Sequence, residues 1–346
     1  MDTVSSKPVV TIRDLAGTLG LSHTTVSRAL ADHPKIKAET KLRVRALARE
    51  LGYVPNGSAQ SMRGQHGPTI GLIIPDIQND FYASIAKTVA DAAAARGFQL
   101  TLSVTEDNPE REMDDLRALI VARAAGIIIT PTASPKAQTL ELLAGANAVQ
   151  LVRQDERLPH EAVVIDDYLG VSAATRHLVT YGHRDIAYVG TGTDLSCGRD
   201  RLAGFRAVMI EHGLNPDRVA LGQPRPEFSH HAVHGLMSGS QRPTALVMGS
   251  SSLTIGALKA LRSLNLQWPD DVSIVGYGDP VWFELMGSGL TTVRLPVQEM
   301  GAYVTSLLLA RTELARVAGG GDACPQPSRF APSLVLRGSA RILTTD

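Results

Sequence analysis

One short stretch places several hydrogen-bonding side chains on a single helical face. In TIRDLAGTLGLSHTTVSRAL, residues 11–30, helical spacing brings His23, Thr24, Ser27 and Arg28 to one outer side. A guanidinium, an imidazole and two hydroxyls at that spacing can meet base edges and phosphate oxygens. This is the pattern of a DNA-reading helix-turn-helix. Two ordinary amphipathic helices would share the spacing, so the rest of the chain must decide.

The elements that hold this face can be read locally. Thr11 can cap a first helix, with Asp14 at its third position beside the positive dipole end. Ile12, Leu15, Ala16 and Leu19 then share one face. Gly20 sits where the chain must leave the helix, and glycine tolerates the left-handed exit. Ser22 can cap the second helix, whose Val26, Ala29 and Leu30 turn inward, and Ala16 is small where the two helices must meet. A loop over 31–36 leads to a third helix ending near Leu51, with Leu42, Val44, Leu47 and Leu51 as its apolar side and Gly52 as its stop. A three-helix head of about fifty residues is small but viable.

Charge separates this head from the rest of the chain. The 346 residues balance 34 Lys/Arg against 34 Asp/Glu, yet residues 1–66 hold 10 basic against 5 acidic side chains. The remainder holds 24 against 29. A basic head on an acidic body points to phosphate binding, although the Lys41, Arg43, Arg45 and Arg49 run alone also fits a solvated helix face. The start, MDTVSSKP, lacks the apolar segment of a signal peptide, and no apolar run approaches membrane-spanning length. Cys197 and Cys324 lack ligand spacing. Reduced thiols, a cytoplasmic location and no membrane partner are expected.

Beyond Thr69 short apolar strands alternate with amphipathic helices. TIGLIIP, QLTLSV, GIIIT, AVQLV and AVVID read as strands, with helices starting near Phe81, Pro109, Pro135 and Leu169. IAYVG, VALG, ALVMG and SIVGY repeat the pattern, SLVL forms a last strand, and Gly97 and Gly213 end two helices. This predicts an open, mostly parallel α/β arrangement in two lobes, with ligands at the carboxyl ends of strands. Enzyme signatures are missing: no GxGxxG after the first strand, no GxxxxGK[ST], no HExxH and no Cys/His set at metal spacing. Asp166–Asp167 and Asp270–Asp271 read as strand ends and turns, and His230 and His231 as surface residues. Neither catalysis, a metal nor a cofactor is expected.

Between head and body lies YVPNGSAQSMRGQHGP, where Asn56 can cap a very short helix through Arg63 and residues 64–68 form a linker. A helix this short needs a partner to stay folded. LAGTLGLSHTTVSRAL, ETKLRVRALARELGYVPN, AQSM and IGLIIPDIQNDFY together resemble the LacI/GalR family of bacterial repressors, in register from about Val10 to the C-terminus. The resemblance implies a head over 1–54, a hinge helix and linker over 55–68, and a two-lobed periplasmic-binding-protein-like domain over 69–346. Its N-lobe would comprise about 69–166 and 291–325, and its C-lobe about 167–290 and 326–346. The loop over 319–328 would join the last long helix to the final strand.

The resemblance also implies roles. His23, Thr24 and Arg28 match base-reading positions, Arg28 being able to grip guanine bidentately. Thr11, Ser22, Ser27, Lys35, Lys37 and Thr40 fall at the DNA-contacting positions of the head. Lys37 stands where a small polar cap of the third helix is usual. In the hinge, Asn56, Ala59, Gln60 and Met62 would approach the minor groove. Met62 occupies the wedge position where leucine is usual, and packing against the head is its alternative role. Effector contacts would come from Phe81, Tyr82, Arg153, Arg201, Phe228, Ser250 and Asp279. Phe81 and Tyr82 could stack on a sugar ring or pack under a helix start, and Asp80 replaces the usual preceding proline.

Arg153 stands where sugar-sensing members carry aspartate, Gly278 replaces the first of two paired aspartates, and Ser250–Ser251 replaces Asn/Ser–Asp. Fewer acidic groups and one more arginine favour an anionic effector, a sugar acid or phosphorylated sugar. Arg153 could instead pair with Asp155 or Asp166. The expected protein is a homodimeric, effector-controlled regulator of a double-stranded operator, a repressor first and an activator or co-repressor-dependent regulator second. A cytoplasmic ligand-binding protein without an operator is the remaining alternative.

Overall fold

The computed structural model describes residues 10–30, 32–53, 68–314 and 326–343. Two compact units emerge, Met1–Pro68 and Thr69–Asp346.

In the first unit, α1 (Ile12–Leu19), α2 (His23–Leu30) and α3 (Ala38–Glu50) surround one small core. Asp14 accepts from both the backbone N–H and the hydroxyl of Thr11 at 2.7 Å, which holds its carboxyl below the ordinary value. Gly20 ends α1 at φ +63°, and Ser22 Oγ accepts from Thr25 N–H at 3.1 Å to start α2. Leu15, Val26, Ala29 and Val44 are fully buried, with Ala16 and Ala48 almost so. Leu42 departs from the expected apolar side and is 69% exposed. Positions two apart on a helix do not share a face, so Leu42 cannot join Val44 inward. Asp32 in the preceding loop is held by Lys41 at 3.2 Å and Arg45 at 2.8 Å.

The second unit contains two six-stranded sheets. The first has strands β1 (Thr69–Ile74), β2 (Gln99–Val104), β3 (Gly126–Ile129), β4 (Ala148–Leu151), β5 (Ala162–Ile165) and β11 (Ser328–Phe330), in the order β11-β5-β4-β3-β1-β2. Helices α4 (Asp80–Ala94), α5 (Pro109–Val121), α6 (Ala137–Ala144) and α12 (Val297–Leu314) cover its two faces. Ile70, Leu72 and Ile74 of β1 turn to the α4/α12 face and Ile73 to the other, which is why the strand reads as a continuous apolar run.

The second sheet has β6 (Ile186–Thr191), β7 (Val219–Gly222), β8 (Ala245–Met248), β9 (Ser273–Tyr277), β10 (Thr292–Arg294) and β12 (Ser333–Val335), in the order β12-β10-β9-β8-β6-β7. Helices α7 (Asp167–Thr180), α8 (Ser196–Glu211), α9 (Pro226–Ser238) and α10 (Ser251–Ser263) flank it, with the short α11 (Trp282–Leu285) after β9. Every strand pair is parallel except β10 with β12.

Strand pairing corrects two expected lobe boundaries. β10 pairs with β9 and β12, so the chain returns to the first lobe after Arg294, not near 291. β11 pairs with β5, so residues 328–330 belong to the first lobe, and the last change of sheet comes at Ala331–Pro332. Three-residue strands leave no periodicity to read, and only their hydrogen-bond partners assign them.

Candidate functional site

The head presents a polar face. His23, Thr24 and Arg28 are exposed along α2, and Thr11, Ser22, Lys35 and Lys37 are exposed around it. Thr40 is half-buried. Lys37 takes the N-cap position of α3 without a side-chain cap, because an ammonium has no acceptor to offer the helix N–H groups. Ser27 departs from its expected outer position: it is 5% exposed. It lies beside Val26 and three residues before Leu30, at the edge of the apolar stripe, where a small side chain is covered by the packing. Asn56, Ala59, Gln60 and Met62 lie outside the described residues.

In the second unit, the carboxyl ends of the strands of both lobes face one cleft of about 80 Å³. Such a volume is well under the roughly 300 Å³ at the lower end of ligand pockets. Polar contacts join the lobes, among them an ion pair of Arg329 on β11 with Asp200 on α8 at 3.1 Å. Gln154 N–H donates to Ser196 Oγ at 2.9 Å, Ser251 Oγ to Asn79 Oδ1 at 3.4 Å, and Trp282 Nε1 to Asp80 Oδ2 at 3.3 Å. Asp80 thus makes a contact that a proline there could not. A broader hollow of about 870 Å³ opens alongside and shares Phe81, Ser251, Gly278 and Leu295 with the cleft.

Phe81 and Tyr82 line the cleft from the start of α4, which Asn79 caps by accepting from Phe81 N–H at 3.1 Å. Their rings meet edge to face at 5.1 Å. Burial pushes the Tyr82 hydroxyl well above its ordinary value, so it stays a neutral donor. Arg201 comes from the first turns of α8 and is 7% exposed. Its Nε donates to Asp167 at 2.7 Å, its Nη1 to the Gly249 carbonyl at 2.8 Å, and its guanidinium lies 4.3 Å over the Tyr277 ring. The Tyr277 hydroxyl also donates to Asp167. Burial raises the Asp167 carboxyl above its ordinary value, and the Arg201 charge and Tyr277 hydroxyl act against that. Ser250 caps α10, accepting from Leu253 N–H at 3.2 Å, and lines the cleft.

Arg153 lines the cleft too, but its partner is neither Asp155 nor Asp166. It forks onto Asp107, with Nη2 to Oδ2 at 3.1 Å and Nη1 shared between Oδ1 and the Pro131 carbonyl. Asp155 is held by Arg157 instead, and Asp166 caps α7. Both arginines of the cleft therefore carry a carboxylate already, and the surplus positive charge expected from the sequence is absent from this pair of sites.

Two expected contacts lie elsewhere. Phe228, on the first turn of α9, packs on the second-lobe core against Gly222, and Pro224 lines the cleft from the loop before that helix. Asp279 faces the broader hollow. Arg337 binds it at 2.7 Å and Arg294 at 2.8 Å. Burial works to raise its carboxyl, and those two arginines outweigh it and hold the group below the ordinary value. Asp107 and Tyr277 are not marked by the sequence, and Asp167, read there as a strand end, proves to be the carboxylate that holds Arg201. Asp107 follows the strand QLTLSV, so its place at a strand end was the available signal.

Residues 11–56 match the bacterial regulatory proteins of the lacI family, and residues 175–340 match a periplasmic binding protein-like domain. The transcriptional regulator DegA of Bacillus subtilis (strain 168) is 32% identical over 344 residues, covering 97% of this chain and 99% of DegA. The chain belongs to the LacI/GalR family of transcriptional regulators. GalR of Escherichia coli (strain K12) is 28% identical over 339 residues, covering 96% of each chain. The lac repressor dimer bound to operator and the anti-inducer ONPF shares the fold, with a TM-score of 0.80 at 23% identity over 96% of this chain and 99% of that one. This LacI/GalR member is thus a DNA-binding transcriptional regulator, from a family of regulators and not of enzymes. Among the described residues, no helix is long and apolar enough to cross a membrane.

Proposed function

We propose that this regulator is a repressor that binds a near-palindromic operator as a homodimer in the cytoplasm and is released by a small sugar-like effector. The observation that carries this is the exposed His23–Thr24–Arg28 face on a capped helix-turn-helix, in a chain that also carries a two-lobed strand-end cleft. Arg28 and Thr24 would read base edges, while Lys35 and Lys37 would fix register on phosphates. Met62 would wedge between central base pairs of the operator. In the cleft, Phe81 supplies a ring face, and Arg201 and Ser250 supply polar contacts from the other lobe. Effector binding would part or re-angle the lobes, and DNA affinity would fall by the effector's differential affinity for the two states.

The test is selection of random duplex DNA by the full-length protein at fixed, near-physiological salt. A retained near-palindrome with a flexible central step is expected. Retention without sequence preference, with and without a mixture of metabolites, would sink the operator reading.

A further inference from the structure

We propose that Asp107 is the charged group that the effector meets from the first lobe, and that the Arg153–Asp107 pair selects neutral polyhydroxylated ligands over their carboxylate counterparts. The inference rests on the proposed function only in taking the strand-end cleft as the effector site.

Exposure decides which partner faces the ligand. The Arg153 side chain is 5% exposed and that of Asp107 is 37% exposed. Both Nη atoms of Arg153 are committed to Asp107, one of them also to the Pro131 carbonyl, and its Nε is buried without a partner. The guanidinium is therefore turned into the protein and acts as a positioning group. The carboxylate accepts one hydrogen bond on each oxygen from Arg153, which leaves a lone pair on each for a ligand donor. Hydroxyl groups are such donors. A ligand carboxylate or phosphate brings only acceptors and a second negative charge, which the exposed side of Asp107 repels.

The other carboxylate near Arg153 is not available. Glu112 is fully buried, and its two oxygens accept from Thr132 N–H at 2.6 Å and Thr132 Oγ1 at 3.1 Å.

Backbone strain brackets the same pair. Glu106 and Asp107 sit at φ +54° and +57°, and Val152, next to Arg153, sits at φ +68°. A β-branched residue there is a conformational outlier, and two consecutive non-glycine residues there are uncommon. Strain at both ends of one ion pair, in a cleft, marks a geometry that the fold over-determines. Arg153 therefore does not make the cleft a site for anions. It supports a carboxylate supplied from the loop after β2, the edge strand two places beyond β3.

The test uses the full-length protein and titration calorimetry with neutral sugars and their acids: D-galactose with D-galacturonate, D-glucose with D-glucuronate, and D-ribose with D-ribonate. Wild type is expected to bind a neutral member at least about tenfold more tightly than its acid. Asp107→Asn frees the Arg153 fork and is expected to move that ratio at least about tenfold toward the acid. Asp107→Asn with Arg153→Met leaves no lone buried charge. It should keep the melting temperature yet lose affinity for the neutral sugar without gaining the acid. An unchanged ratio in Asp107→Asn, a wild type that prefers the acid, or a double variant with unaltered sugar affinity would overturn the inference. Phe81→Ala separates the two levels. If it abolishes binding while Asp107→Asn leaves the ratio unmoved, the cleft remains the effector site and Asp107 is not its selector. If no sugar or acid binds wild type, the sugar-site reading falls and this inference falls with it.

Discussion

Arg28 and Lys35 are both exposed cations of the head, and they should fail differently. Arg28→Ala should relax preference at one base pair at a cost of about 1–3 kcal/mol, whereas Lys35→Ala should weaken all sequences alike and lower the salt slope by about 1. Competition titrations against singly substituted duplexes at several salt concentrations distinguish the two. In the cleft, Arg201 is the ion partner of buried Asp167. Arg201→Met leaves that carboxylate uncompensated, so a loss of about 3–5 kcal/mol in urea unfolding is expected. Adding Asp167→Asn should recover part of it, because the stranded charge is then gone.

Close helix approach is what the glycines at the element scale decide. A Cβ on Gly256 of α10 would lie 2.0 Å from the Pro226 carbonyl oxygen of α9 and 2.1 Å from Ser229 Oγ. A backbone oxygen cannot rotate away, so Gly256→Ala should cost about 1–3 kcal/mol in chemical unfolding. Gly20 is the contrast. Nothing lies within 4 Å of its Cβ direction, yet its φ is +63°. Gly20→Ala should cost only the left-handed penalty of about 1–2 kcal/mol.

His183 sits in the turn between α7 and β6, fully buried, with Nδ1 2.9 Å from Thr244 Oγ1 and Nε2 3.1 Å from the Arg341 carbonyl. Burial depresses its pKa, against the pull of the Arg341 carbonyl. The unfolded chain then takes up the proton first. This contribution to stability is whole above the unfolded histidine value of about 6.5 and is lost as pH falls from there through the folded value. Unfolding free energies between neutral and mildly acidic pH should fall less steeply in His183→Gln than in wild type.

For the whole molecule, an effector that re-angles the lobes would disturb the polar contacts between them. The chain has two tryptophans, and Trp282 bridges the lobes through Asp80. Effector binding should therefore change tryptophan emission in wild type and not in Trp282→Phe. A response that survives Trp282→Phe would place the change elsewhere. The two units differ in charge as well as fold, with the basic surplus confined to residues 1–66. Duplex affinity should fall steeply with salt, while effector affinity should not.

How much was legible follows from the range of the forces involved. The head could be read residue by residue because caps, helical spacing and a left-handed exit act within a turn or two. Thr11, Asp14, Gly20 and Ser22 do in the structure what their spacing implies. Strands β1, β6 and β9 were legible because burial on both faces demands unbroken apolar runs. Sequence left open what depends on segments that meet only after folding. Arg153 finds Asp107, 46 positions away, because β2 and β4 end at the same cleft. Asp279 is enclosed by Arg294 of β10 and by Arg337 just past β12, Phe228 turns into the core, and β10 and β11 join sheets that no local pattern could assign. Residue types alone implied a positive cleft. The tertiary structure set a carboxylate against each cleft arginine, because a buried charge must be paired or it costs more than the fold can bear.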